Sequence, residues 1–267
     1  MRMEYINKLF CLDGKKAIVT GGNSGIGRGI ATSLASLGAD VAIVGRDRVT
    51  LDETEDALKS LGTNCKAYQA DVGVKKEIDR FFDQYFSENG PVLDIFVANA
   101  GVSCPKRAME TTEEEVDTLI DINYKGVLFC CQRAAEAMKE RQSGNIIIVT
   151  SVNALYPLPP QAVYTSTKSA LEALMQCMAV DLAKYGIRVN TLAPGAIRTN
   201  LGRNMPPRKP EPSASPPSDN RRPGIPLGRA GLPEDMGDAV ACLVTDAFRY
   251  MTGSTVLIDG GLKLRNV

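Results

Sequence analysis

Tyr164 and Lys168 are the two side chains of this sequence whose types and spacing best suit proton transfer. The stretch reads YTSTK, and on a helix positions i and i+4 share a face, so a phenol and an ammonium are brought side by side. Of the eight tyrosines only Tyr164 has a lysine four residues on. Taken alone, the pair equally suits an exposed contact on a helix surface. Composition narrows the chemistry, because the 267 residues include no histidine. That removes Ser-His-Asp and Cys-His catalysis and H-E-x-x-H zinc sites, leaving Tyr, Lys, Asp, Glu and Cys for acid–base work. The seven cysteines (Cys11, Cys65, Cys104, Cys130, Cys131, Cys177, Cys242) form no C-x-x-C pair, and their odd number argues against a disulfide framework. They read as small buried apolar residues, and no metal site is expected.

A second feature concerns an anion. Residues 20–27 read TGGNSGIG, after the apolar run Ala17-Ile18-Val19 and before a helically spaced segment at 29–35. Gly21, Gly25 and Gly27 allow a tight turn and a close ligand, since none carries a Cβ. The first amides of the helix and its dipole attract a group such as a pyrophosphate. A turn that binds nothing can share this local pattern; its place first in a βαβ unit favours a dinucleotide.

The elements that must position these groups follow from the periodicity. Strand signals occur at 17–19, 41–44, 65–70, 92–98, 145–150, 187–192 and 255–258. Between them lie helical signals at 50–61, 75–88, 113–138 (interrupted near 123–126), 163–184 and 233–245. The segment 75–88 is amphipathic through Ile78, Phe81, Phe82 and Tyr85. Alternation of this kind predicts an α/β fold: a doubly wound, Rossmann-like parallel sheet of about seven strands with helices on both faces. Ligands of such sheets bind at the carboxyl ends of the strands. One domain spanning 1–267 is expected. The segment 203–226 departs from the pattern, with Pro206, Pro207, Pro210, Pro212, Pro216, Pro217, Pro223 and Pro226. So many prolines exclude a regular helix; the segment is a candidate substrate lid, or a solvated insertion.

The charge balance, 31 basic against 31 acidic residues, gives no electrostatic case for nucleic acid or an anionic membrane. No apolar run approaches the ~20 residues that span a bilayer, and the first residues lack a secretory signal, so a cytoplasmic protein is expected.

With TGGNSGIG, Asp71-Val72, Asn99-Ala100-Gly101, Asn123, Ser151, YTSTK at 164–168, Pro194-Gly195 with Thr199, and Asp259-Gly260-Gly261 in one order, the chain resembles the short-chain dehydrogenase/reductase family in its single-domain form. The likeness runs almost end to end. It implies hydride transfer between a nicotinamide and a carbonyl or secondary alcohol. By that resemblance Tyr164 exchanges the proton on the substrate oxygen and Ser151 hydrogen-bonds that oxygen. Lys168 binds the cofactor ribose and favours the phenolate, and Asn123 supports a water linking the lysine to solvent. One ammonium about 4 Å away at an effective dielectric of ~20 supplies about 4 kcal/mol. A positive nicotinamide adds to that, so the phenol is expected to be acidified by Lys168 and oxidised cofactor together.

The resemblance also assigns cofactor contacts. These are Gly21, Asn23, Ser24, Gly25, Ile26 and Gly27 at the pyrophosphate loop, Asp71 and Val72 at the adenine, and Asn99 and Ala100 along the ribose. Pro194, Gly195, Ile197 and Thr199 follow at the nicotinamide and phosphates, with Tyr164 and Lys168. Gly45 stands where NAD-using relatives carry Asp, and Arg46 follows it, so NADP(H) is expected over NAD(H); Ser24 and Asp47 weigh the other way. The walls at 152–160 and 102–107 (basic at Lys106-Arg107) suggest a small oxygenated ketone or sugar acid, with 3-oxoacyl or steroid substrates as alternatives. A sensor that binds the dinucleotide without turnover is the rival from another class. Enoyl reduction within the superfamily would want a wider spacing than Tyr164 to Lys168. A homotetramer or homodimer through 123–138 and 163–184 is expected, as is a small-molecule partner without nucleic acid or membrane.

Overall fold

The computed structural model describes residues 2–199 and 224–265. Its seven strands are β1 (Lys16–Thr20), β2 (Asp40–Gly45), β3 (Cys65–Gln69), β4 (Ile95–Ala98), β5 (Gly144–Val149), β6 (Ile187–Pro194) and β7 (Thr255–Ile258). They form one sheet in the order β3-β2-β1-β4-β5-β6-β7, every pair parallel. Helices cover both faces, which is why strands such as KAIVT and GNIIIV run apolar instead of alternating. The helices are α1 (Arg2–Phe10), α2 (Gly25–Ser36), α3 (Arg48–Lys59), α4 (Lys75–Asn89), α5 (Glu113–Ile120), α6 (Val127–Arg141), α7 (Val152–Leu155), α8 (Ala162–Ala183) and α9 (Pro233–Leu243).

Successive strand residues feed opposite cores. Ile18 and Phe96 join Phe81, Phe82, Leu119, Leu171 and Met175 on the face covered by α4, α5, α6 and α8. Val19 and Val97 join Ile30, Leu34, Leu51 and Val240 on the face covered by α2, α3 and α9.

Two departures from the sequence expectations bear on the site. β4 begins at Ile95 and not at residue 92, because Val92 turns back to the Gly90 carbonyl and the Asp94 carboxylate accepts from the Lys16 amide (2.9 Å). The interruption expected near 123–126 is a π-helical turn, Asp121–Gly126, and the helix resumes to Arg141. A Cβ on Gly126 would stand 2.5 Å from the Val72 carbonyl oxygen, so the turn fits tightly against the end of β3's connection. The short helices α1 and α7 carry no strong periodic signal.

α2 and α9 pack almost backbone to backbone. A Cβ on Gly29 would lie 2.4 Å from the Pro233 oxygen, and one on Gly237 would lie 2.4 Å from the Gly29 oxygen. After β6 the chain pairs Ile197 with Gly231 in a parallel bridge. The Arg198 amide donates to the Gly231 carbonyl and the Gly231 amide to that of Ala196, both at 2.9 Å. Of the proline-rich stretch expected to form a lid, 203–223 lies outside the described residues; Ile225 is buried. Among the described residues no helix is long and apolar enough to cross a membrane. All seven cysteines are free.

Because Gly29 has no room for a methyl group, Gly29→Ala should separate α2 from α9. The expected loss is about 1–3 kcal/mol of stability, read as a lower urea midpoint.

Candidate active site

The sheet's connections reverse direction between β1 and β4, and that junction opens at the strands' carboxyl ends. Thr20 locks it. Its hydroxyl accepts from the amides of Asn99 (3.0 Å) and Ala100 (3.1 Å), while Asn99 Nδ2 donates to the carbonyls of Thr20 (2.9 Å) and Gly21 (3.3 Å). The glycine loop runs over this clasp with Gly21 at φ +64° and Gly25 at φ +49°, a region costly for other residues. Gly27 sits behind the loop, where a Cβ would be 2.1 Å from the Gly21 oxygen.

A crevice of about 400 Å³ lies above. Gly21, Asn23, Ser24, Gly25 and Ile26 line one side; Asn99, Ala100 and Gly101 form the floor; Pro194, Gly195, Ile197 and Thr199 close the far side. α2 opens onto it with no acidic residue in its first turn. Backbone amides at a helix start, kept clear of side chains by glycine, fit a dinucleotide pyrophosphate.

Ser151, Tyr164 and Lys168 converge on the same crevice. Ser151 ends β5 and caps α7, its hydroxyl accepting from the Asn153 amide (3.2 Å). The same hydroxyl favours the ionised form of the Tyr164 phenol. Asn153 Nδ2 donates to Gln161 Oε1 (2.7 Å), closing the loop between α7 and α8. Asn123 does not line the crevice. It is fully buried in the π turn, accepting from the Val102 amide (2.8 Å) and donating to the Val102 carbonyl (2.9 Å) and to Thr167 Oγ1 (3.3 Å).

The protein's own groups work against the acidification expected from Lys168 together with oxidised cofactor. Burial pushes the Tyr164 hydroxyl above its ordinary range, with the Ser151 hydroxyl opposing. Burial likewise lowers the Lys168 ammonium to about 8, opposed by the charge of Glu172. Lys168 Nζ donates to the Val149 carbonyl (2.8 Å) and stands 5.9 Å from the centre of the Tyr164 ring. Desolvation of both groups outweighs their mutual attraction at that separation.

The adenosine end is more neutral than the sequence suggests. Arg46 pairs with Asp71 (3.6 Å), and Asp71 also accepts from the Gly73 amide (2.8 Å). Arg46, Asp71 and Val72 lie outside the crevice lining, which instead includes Asp47 and Thr50. A Cβ on Gly45 would meet Asn23 Oδ1 at 2.3 Å, so a larger residue there must displace that side chain, whose Nδ2 donates to Thr50 Oγ1 (2.7 Å). On the basic wall, Lys106 is held by Glu115 (2.5 Å), leaving Arg107 exposed, and the Lys263 ammonium lies 5.4 Å above the Tyr156 ring. Sequence reasoning missed Thr50, Gly101, Val149 and Thr150 as lining residues. For Gly101, Val149 and Thr150 the nearness to a strand's carboxyl end is the signal that would have found them; Thr50 lies in the first turn of α3.

Comparison with known proteins agrees with this geometry. A family model described as enoyl-(acyl carrier protein) reductase matches residues 21–263. The chain is 34% identical to 3beta-hydroxysteroid dehydrogenase 1 of Eggerthella lenta, over 95% of each chain. It is also 34% identical to versicolorin reductase of Emericella nidulans (94% of this chain, 96% of that one). The same identity holds for the 3-oxoacyl-(acyl-carrier-protein) reductase FabG of Staphylococcus aureus (93% and 98%). Among solved structures, a short-chain type dehydrogenase/reductase from Mycobacterium marinum superposes with a TM-score of 0.85 at 34% identity, covering 96% of this chain and 98% of that one.

Burial of Lys168 carries a stability signature. A base whose folded value drops to about 8 opposes folding while it is charged. Stability should therefore rise as pH climbs through about 8 toward the unfolded value near ~10.4. In Lys168→Met that rise in stability between about pH 8 and ~10 should be absent, read by urea denaturation at several pH values.

Proposed function

Because this chain belongs to the short-chain dehydrogenase/reductase family, whose members are NAD(P)-dependent oxidoreductases acting on CH-OH and C=O groups, we propose that it reduces a small oxygenated ketone or sugar acid with NADPH. The observation that carries this reading is the meeting of Ser151, Tyr164 and Lys168 at the crevice. A bound nicotinamide supplies the hydride in reduction and accepts it in the reverse direction. The Tyr164 phenol gives the proton to the substrate oxygen, and burial keeps that phenol protonated before reaction. The Ser151 hydroxyl, in the same crevice, holds the oxygen. Lys168 places a positive charge under the site, supporting the phenolate as it forms. Asn123 positions the floor through Val102 and Thr167. The amides of 21–26, with Asn99, Ala100, Pro194, Gly195, Ile197 and Thr199, hold the dinucleotide.

The NADPH preference rests on Arg46 and on the absence of an acid at Gly45. Arg46 is half-exposed and its pairing with Asp71 is long, so the guanidinium is available to a 2′-phosphate. The small polar substrate is supported by the segments read as walls, where Ser103 and Asn153 are polar and buried, Val152 is apolar and buried, and Lys106 is paired with Glu115. The relatives' names, a steroid dehydrogenase and a 3-oxoacyl reductase, keep those two substrates as the second reading. The four-residue spacing of Tyr164 and Lys168 supports carbonyl over enoyl chemistry. We further infer a homotetramer or homodimer through α6 and α8, where Val180 and Cys177 are exposed and Leu174 and Met178 are half-buried. The free cysteines favour the cytoplasm.

A panel of ketones, sugar acids, 3-oxoacyl thioesters and steroids with NADPH, followed by absorbance, tests the substrate. Tyr164→Phe should lower kcat by about 10²–10⁴-fold on the best of them; unchanged turnover would remove the proton-transfer role. Arg46→Ala should raise KM for NADPH about tenfold, roughly 1.4 kcal/mol, and leave KM for NADH unmoved.

A further inference from the structure

Glu172 lies one turn beyond Lys168 on α8 and is buried in the interior, where a carboxylate is rare. Three hydroxyls from three strands satisfy it. Thr150, at the end of β5, donates to Oε1 (2.5 Å), while Thr191 of β6 (2.8 Å) and Thr255 of β7 (2.6 Å) donate to Oε2. Each hydroxyl has one proton. Thr150 Oγ1 is also 3.2 Å from the Leu192 carbonyl, so the shorter contact to the carboxylate takes it. Thr150 lies between Val149, whose carbonyl accepts from Lys168, and Ser151. One buried anion therefore fixes the strand end that carries both groups.

We propose that Glu172 is a positioning residue of the reductase site. Its threonine-held carboxylate anchors the β5 terminus and supplies the negative field that keeps Lys168 protonated at working pH. The inference rests on the reading of Ser151, Tyr164 and Lys168 given above. Tyr164 is the other titratable group facing Lys168 from α8. The neighbouring elements bring neutral groups: the Val149 carbonyl and Thr150 from β5, Asn123 from the π turn, the Gly101 backbone after β4, and Thr191 and Thr255 from β6 and β7. The acid that follows β7, Asp259, is turned to the amides of Gly261 and Lys263 (both 2.8 Å). The charge of Glu172 opposes the drop that burial imposes on the Lys168 ammonium, which stands at about 8. Without that charge the pair Tyr164–Lys168 loses its first proton at lower pH, whichever group releases it.

The test compares the full-length protein with Glu172→Gln by two measurements. In protein carrying ¹³Cε-labelled lysine, with Lys168 assigned by its loss in Lys168→Met, the Lys168 signal should titrate near 8 in the parent. In Glu172→Gln it should titrate lower by on the order of one pH unit. The alkaline limb of kcat for ketone reduction should move the same way. Thr255→Val, which removes one donor and keeps the charge, should lower stability without lowering that midpoint. An unmoved midpoint in Glu172→Gln overturns the proposal, as does an equal fall in Thr255→Val, which would assign the effect to packing. Should Glu172→Gln fail to fold, Glu172→Asp serves: the carboxylate withdraws by one methylene and the midpoint falls by a smaller amount, an unchanged value again overturning the proposal. The resonance is read without cofactor or substrate, so a protein that reduces no ketone would sink the proposed function while leaving this measurement to decide on Glu172.

Discussion

A buried ammonium needs an acceptor and a counter-charge, and the way Lys168 obtains both organises the catalytic side of the molecule. The acceptor is a strand-end carbonyl, Val149, at 2.8 Å. Such a carbonyl is free only where a parallel sheet stops pairing, so the lysine is tied to the carboxyl edge of β5. The helix that carries it must then cross that edge, which brings Tyr164, one turn earlier, over Ser151. Burial raises the phenol and lowers the ammonium, and both shifts favour uncharged forms. The phenol thus rests neutral beside an ammonium whose drop the Glu172 charge opposes, and the site stands ready for the charge that develops on a substrate oxygen.

The dinucleotide side depends on a different constraint, the exclusion of side chains. Gly27 is empty because the Gly21 carbonyl occupies the space, and Gly45 is empty because Asn23 occupies it. The second case changes how a sequence signal is read. An acid missing at the end of β2 reads as a choice of cofactor, and a side chain at that position would also have to displace the Asn23 amide of the preceding loop. Arg46 is the residue on which the NADPH reading stands, and it shares its charge with Asp71.

Most of the architecture was legible in the residues because strands buried on both faces are continuously apolar and the helices between them are periodic. All seven strands fall at the expected places. What the sequence concealed has a common origin in contacts between distant strands. Glu172, four residues after a lysine on a helix, has the local pattern of an exposed ion pair. Its burial becomes visible only when the register sets Thr191 beside Thr255 and brings Thr150 to the same side chain. The π turn showed in the residues only as an interruption near 123–126; its extra residue per turn answers to Val72 and Val102, far away in sequence. Lys106-Arg107 read as a basic wall because Glu115, its partner, lies on the next helix.

The bridge between Ile197 and Gly231 fixes where α9 begins. It holds Gly231 two residues before Pro233, whose carbonyl oxygen sits against Gly29 of the helix that follows the glycine loop. Ile197 is itself a wall of the crevice, so the far wall and the phosphate-facing helix are tied to each other by two hydrogen bonds and one close backbone contact.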